Sequence, residues 1–276
     1  MTVKPTVTVR DVAFRGGRPA EARRTLPEET AVAFTYDGST HAVMMATPAD
    51  LEDFAVGFTL TEGIVAAPSE IADLAVVGEA TGIELRMRLA GVPGAALVER
   101  RRHLAGPVGC GLCGIESLDE AMRPVSRVRT GGLIAPSMIR DAVAATARGQ
   151  RLNHQTSAVH AAGFWRPGDG IVAVREDVGR HNALDKLAGA LARRGEDAAY
   201  GLVVVTSRLS VELVQKAAMI GATVLVAVSA PTALAVRTAE AAGMTLAAIA
   251  RDDGFEVFTG ADRIVGATVP ADHVAS

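Results

Sequence analysis

The chain has two cysteines, Cys110 and Cys113, three positions apart in Gly106-Pro107-Val108-Gly109-Cys110-Gly111-Leu112-Cys113-Gly114. Thiolate is the reactive form of cysteine. Its ordinary pKa of about 8.5 falls beside basic groups or at a helix N-terminus. The run Arg100-Arg101-Arg102-His103 lies upstream. Downstream, Glu116, Asp119 and Glu120 suit the first turns of a short helix, where acids complement the dipole. Four glycines and a proline in nine residues exclude a helix interior or a central strand. The segment reads as a loop with accessible sulfurs, able to swing between two partners. That suits a thiol carrying sulfur or an acyl group.

Other readings of the pair compete. A thioredoxin-type disulfide wants the motif directly after a strand and at a helix start. Here it precedes the α/β part of the chain. Two thiolates cannot close a four-ligand zinc site in one chain, so a metal would need a second subunit or a histidine such as His103. A bland pair of small loop residues is the remaining case. Pro107 to Cys113 is also loosely similar to the P-C-x-x-C half of zinc nucleobase deaminases, which additionally need H-x-E. The nearest match, His160-Ala161-Ala162, lacks the glutamate and follows the cysteines. Zinc hydrolysis is therefore the runner-up, and a non-covalent cofactor chaperone is a third class.

A second group of candidates follows the strands of the second half. In an open parallel sheet, ligands bind outside the carboxyl ends of the strands. Those positions hold Arg175 to Asn182, Thr206 to Ser210, Ser229 to Thr232 and Ala250 to Gly254. Three contain arginine, and Ser210 and Thr232 sit where helix N-termini favour phosphate. An anionic, nucleotide-sized ligand is the natural guess. Alternatively, Ser210 and Thr232 only cap helices. His181 fits a base, a phosphate contact or a structural role.

The elements that must position these groups are legible by pattern. Thr6 to Arg10 alternates as a strand. Ala31 to Tyr36 and His41 to Ala46 flank Asp37-Gly38-Ser39-Thr40, a hairpin signal. Thr47-Pro48 with Asp50 predicts a helix start with Thr47 as cap, and Leu51, Phe54, Ala55 and Phe58 share its face as far as Gly63. Strands are expected at 74–77 and 83–89, and a helix over 137–149. Strands at 158–165 and 171–175 are joined by Pro167-Gly168-Asp169-Gly170. Helices at 182–194, 211–220 and 232–242 then alternate with strands at 202–206, 224–228 and 246–250, with a last strand at 255–259. Such alternation predicts parallel strands and right-handed crossovers. Their continuous apolar runs fit a sheet covered on both faces. The reading is an α/β fold: a β-rich α+β part over 1–128 and an α/β domain over 129–276.

Composition bounds the rest. Of 276 residues, 49% are hydrophobic and 21% charged, as in ordinary globular proteins. A net charge of -3 gives no reason to expect nucleic acid as a partner. No stretch approaches the roughly 20 apolar residues that span a bilayer, and the N-terminus lacks a signal pattern. A cytoplasmic, soluble protein without membrane association is expected.

Together these segments resemble the FdhD-type formate dehydrogenase accessory sulfurtransferases. The resemblance rests on Gly109 to Ser117, Val159-His160-Ala161-Ala162, Glu176 to Lys186, Ser207-Arg208-Leu209-Ser210, Ser229 to Thr232 and the tail from Ala250 to Gly260. Pro48 to Phe54 and Glu62-Gly63 also fit. It implies a carrier that accepts sulfur from a cysteine desulfurase as a cysteine persulfide. The sulfur passes to the molybdenum (or tungsten) bis-guanine-dinucleotide cofactor before insertion into formate dehydrogenase. It also implies a cytidine deaminase-like fold, a homodimer and no permanently bound metal. By motif position Cys110 matches the persulfide-bearing cysteine and Cys113 its neighbour, which shields the persulfide or releases its sulfur by forming a disulfide. The cofactor-contacting segment falls on Ile249, Ala250, Arg251, Asp252, Asp253 and Gly254. Its Asp252-Asp253 is more acidic than a polyanionic ligand would favour. Arg180, His181, Ser207 and Arg208 join as expected phosphate and base contacts, from the strand-end argument.

Overall fold

The computed structural model describes residues 3–91, 125–129, 131–251 and 253–267. Cys110, Cys113, the basic run at 100–103 and Asp252 lie outside the described residues. The chain forms two compact units that interleave in sequence. Unit 1 takes residues 1–124, 148–162 and 173–196, and unit 2 takes 125–147, 163–172 and 197–276.

Unit 1 opens with a two-stranded antiparallel ribbon. β1 (Thr6–Arg15) pairs with β2 (Arg18–Pro27) from Thr6↔Pro27 to Arg15↔Arg18. The ribbon turns at Gly16-Gly17, both at positive φ, where only glycine avoids a Cβ clash. Alternation shows the first half of β1 only. β2, with four charged residues in ten, has no apolar period to announce it.

The unit 1 core lies under a four-stranded sheet of order β4-β3-β6-β5. β3 (Thr30–Tyr36) and β4 (Ser39–Ala46) form the expected hairpin. Its tight turn is Asp37-Gly38, at φ 49° and 81°, as a primed turn requires. β5 (Ile71–Glu79) pairs antiparallel with β6 (Gly82–Leu89), and β6 runs parallel to β3. Alternate residues Val32, Phe34, Tyr36, Ile83, Leu85 and Met87 point into the core. There they meet Phe54 and Phe58 of α1 (Leu51–Thr61). The Phe34 ring stacks edge-on against Phe54 at 4.9 Å and lies 4.1 Å from Phe58.

Two expectations at the start of α1 need correction. The helix begins at Leu51, with Asp50 as its N-cap in the left-handed region. Thr47 does not cap it. Its hydroxyl instead accepts from the Val178 amide at 3.1 Å. The local cap pattern lost to a long-range bond.

α1 crosses α4 (Arg180–Arg194) at backbone contact. A Cβ on Gly57 would lie 1.7 Å from the Asp185 carbonyl oxygen, and one on Gly189 would lie 1.8 Å from that of Asp53. Only glycine fits either position. The close approach brings Thr61 to Asp185 and Asp53 to Arg193, linking the sheet-covering helix to the motif helix.

The helix–strand alternation makes up the rest of the described chain, and from residue 197 onward it lies in unit 2. α2 (Pro136–Gly149) leads through the short α3 (Arg151–Thr156) to β7 (His160–Arg166) and β8 (Gly170–Asp177). β9 (Leu202–Val205), α5 (Val211–Met219), β10 (Val224–Ala227), α6 (Ala233–Ala242) and β11 (Thr245–Arg251) follow, then β12 (Gly254–Thr259). The six strands are ordered β12-β11-β10-β9-β7-β8. β9, β10 and β11 are parallel, as the alternation predicts, and β12 returns antiparallel to β11. β9 and β10 are buried at every residue, which explains their uninterrupted apolar sequence. The fold is α/β. Among the described residues no helix is long and apolar enough to cross a membrane.

Gly57→Ala tests the helix crossing. Overpacking here should cost about 3 kcal/mol or leave the chain unfolded, read as a lower urea midpoint than that of an alanine placed at exposed Gly132.

Candidate functional site

The segment from Glu176 to Lys186 supplies a network inside unit 1. It lies where β8 ends and α4 begins. The Asp177 carboxylate is fully buried. Its Oδ1 accepts from the Gly179 amide at 2.8 Å and from Asn182 Nδ2 at 2.9 Å. Its Oδ2 accepts from the Thr47 amide at 3.0 Å and pairs with Lys186 Nζ at 2.6 Å. Lys186 is also fully buried. It donates to the Thr47 carbonyl at 2.8 Å, and its ammonium lies 5.4 Å from the centre of the Phe54 ring. Asn182 Nδ2 also reaches the Met45 carbonyl at 2.9 Å. Glu176 accepts from the Leu152 and Asn153 amides, both at 2.8 Å, and so holds the start of α3. Asp185 accepts from the Thr61 hydroxyl at 2.5 Å.

Arg175 belongs to scaffold as well. Its guanidinium contacts Asp53 Oδ2 at 2.8 and 2.6 Å, while Arg193 reaches Asp53 Oδ1 at 2.6 Å. Most charged residues of this motif therefore hold the fold. Arg180 and His181 are the first two residues of α4. Arg180 is half-buried and its Nε meets no acceptor, while His181 is buried at 8% exposure. His160, the first residue of β7, has its pKa lowered, first by burial and then by the Arg180 charge.

The candidates in unit 2 sit at the carboxyl ends of the parallel strands, tied to one another by backbone bonds. The Val228 amide donates to the Val205 carbonyl at 3.0 Å, and the Ile249 amide to the Ser229 carbonyl at 3.3 Å. Leu209 and Thr232 are joined through the Leu209 carbonyl at 2.9 Å. Ser207 is buried, with its hydroxyl donating to the Arg208 carbonyl at 3.1 Å, and Arg208 is exposed. Thr232 caps α6 through the Ala235 amide. Ser210 occupies the cap position of α5, but its side chain makes no capping bond.

Ile249 carries the backbone outlier of this rim. Its φ is 53°, in the left-handed region that β-branched residues avoid. Such a residue costs about 1–3 kcal/mol and persists where the surroundings over-determine it. Here the register of β11 against β12 breaks between Ala248 and Arg251, so the strand bulges where the expected contact segment begins. Ala250 is buried, Arg251 and Asp253 are exposed, and Gly254 opens β12. Ser207, Arg208 and Ile249 thus share one rim in unit 2. Arg180 and His181 belong to unit 1. Sequence reasoning missed Thr47 as a hub, because a threonine before a proline reads as a cap.

The FdhD/NarQ family model matches residues 27–265. This chain belongs to the FdhD/NarQ family. A sulfur carrier protein FdhD from Agrobacterium fabrum is 56% identical over 260 residues, covering 92% of this chain and 94% of the relative. The one from Brucella abortus is 53% identical over 258 residues, covering 93% and 96%. The same fold is seen in the crystal structure of a putative formate dehydrogenase accessory protein from Desulfotalea psychrophila. It matches with a TM-score of 0.76 and 24% identity, over 94% of this chain and 99% of that one.

Lys186→Met removes the counter-charge from a carboxylate that stays buried. Breaking such a pair costs about 3–5 kcal/mol. Chemical denaturation should show that loss. Replacing Asp177 and Lys186 together by Asn and Met should recover part of it.

Proposed function

We propose that this protein is a sulfur carrier serving formate dehydrogenase maturation, with Cys110 as the persulfide-bearing residue. The observation that carries the reading is the 56% identity, over nearly the whole chain, to a relative named a sulfur carrier protein. The chain offers two thiols for that role, both inside the family match.

The chemistry balances as a thiol exchange. A Cys110 thiolate attacks the outer sulfur of a persulfide on a cysteine desulfurase. The S–S bond of the donor breaks, the donor cysteine leaves as thiolate, and Cys110 now bears the persulfide. The substrate that receives the sulfur is the molybdenum bis-guanine-dinucleotide cofactor, before its insertion into formate dehydrogenase. Cys113 shields the persulfide or attacks Cys110. Attack forms the Cys110–Cys113 disulfide and releases sulfide, the two thiolates supplying both electrons, and a thiol reductant then restores the pair.

The residues proposed to hold a phosphate-rich substrate form two groups. In unit 2 they are Ser207, Arg208 and the segment Ile249, Ala250, Arg251, Asp252, Asp253 and Gly254. Strain at Ile249 supports that reading, because stored backbone strain gathers at ligand sites. In unit 1, Arg180 and His181 offer anion contacts of their own. The carrier works in the cytoplasm as a homodimer and needs no resident metal.

Incubation with a desulfurase and cysteine should add the mass of one sulfur atom to the intact chain. Thiol reductant should remove it. Cys110→Ala should abolish the addition while guanosine diphosphate binding persists. Loading of the alanine variant at the wild-type level would refute the assignment.

A further inference from the structure

We propose that His160, Arg180 and His181 form an oxyanion site within unit 1, in which His160 is a direct contact to phosphate oxygens. The inference starts from an imbalance among charged groups. Two acids, Glu176 and Asp177, lie just ahead of Arg180, and both are committed elsewhere. Glu176 holds the two amides of α3. Asp177 accepts four bonds, and its charge is matched by Lys186 at 2.6 Å. Arg180 follows them, and its buried Nε has no acceptor. A buried donor without a partner is destabilising. A ligand oxygen would remove that cost.

Topology brings His160 to the same place. β7 and β8 are neighbours in the sheet, joined by a turn in which the Asp169 amide bonds the Arg166 carbonyl. Their far ends, His160 and Asp177, therefore lie together, and Arg180 opens α4 three residues on. The charged and titratable groups acting on His160 are Arg180, Asp177 and His181. The first turn of the 15-residue α4 holds no acid, and its N-cap, Gly179, adds no side-chain acceptor. Helix N-termini of this kind favour negative charge. With its acids spent, the cluster fits a phosphate or diphosphate group.

A bound anion would favour the charged imidazolium and raise the His160 pKa from its depressed value. Binding then takes up protons as the imidazole charges, and this separates a contact role from a structural one.

The proposal deepens the reading of Arg180 and His181 given above and rests on it only for the identity of the ligand. The test follows the imidazole signals of the full-length chain through a pH titration, alone, with inorganic pyrophosphate and with guanosine diphosphate. Both anions should move the His160 midpoint upward. His160→Gln should weaken guanosine diphosphate about tenfold, the worth of one charge-assisted hydrogen bond. It should also remove the proton uptake seen by calorimetry, with the urea midpoint unchanged. If guanosine diphosphate binds and the His160 midpoint stays put, the oxyanion site is wrong while the nucleotide reading stands. If pyrophosphate moves the midpoint and guanosine diphosphate binds no tighter, the site stands and the nucleotide reading falls. If neither anion moves it, the proposal is overturned.

Discussion

Lys186 and Asp177 form an ion pair with no exposed surface on either side chain. Taking two charges out of water is costly, and a pair repays it only when every remaining donor and acceptor is met. Here they are met by Thr47, Gly179 and Asn182. Each partner comes from a different stretch of chain: the end of β4, the turn after β8, and α4. The pair therefore sets where the hairpin sheet, the β8 turn and the motif helix stand within unit 1. Its value lies in specifying one arrangement more than in net stability.

Other features of unit 1 follow from that arrangement. Gly57 and Gly189 let α1 and α4 touch at the backbone, which carries Phe54 over the Lys186 ammonium and Asp53 between Arg175 and Arg193. The consequence for function is subtraction. Once Glu176, Asp177, Asn182, Asp185 and Lys186 are assigned to scaffold, Arg180, whose buried Nε meets no acceptor, is where the proposed oxyanion site begins. In unit 2, Ile249 instead holds a conformation its side chain disfavours, at the edge of the parallel strands.

Much of this was legible in the residues. Apolar runs and turn signals located β3, β4, α1 and every element from β9 to β12, because burial and period are local properties. The parallel pairing of β3 with β6 was not legible, since nothing in either strand names its partner. β2 was hidden because its exposed residues carry no period, and α3 because six residues are too few to show one. In the candidate site the strand-end rule put Ser207 and Arg208 after a parallel strand, and that is where the fold has them, while Ala250 falls near the end of β11. The role of Thr47 was invisible, because its partners lie about 130 residues away. Likewise, a motif rich in charge reads as a ligand site until the structure shows how many of its charges pair internally.

The central claim is that the chain carries sulfur covalently from a donor to the cofactor that formate dehydrogenase needs. Its most direct test isolates the chain after loading with radiolabelled sulfur and removes the desulfurase. The loaded chain is then mixed with the guanine-dinucleotide cofactor and inactive dehydrogenase. The label should leave the carrier, appear on the cofactor and restore formate oxidation in proportion. Activity restored while the label stays on the carrier, or restored equally by unloaded Cys110→Ala chain, would contradict it.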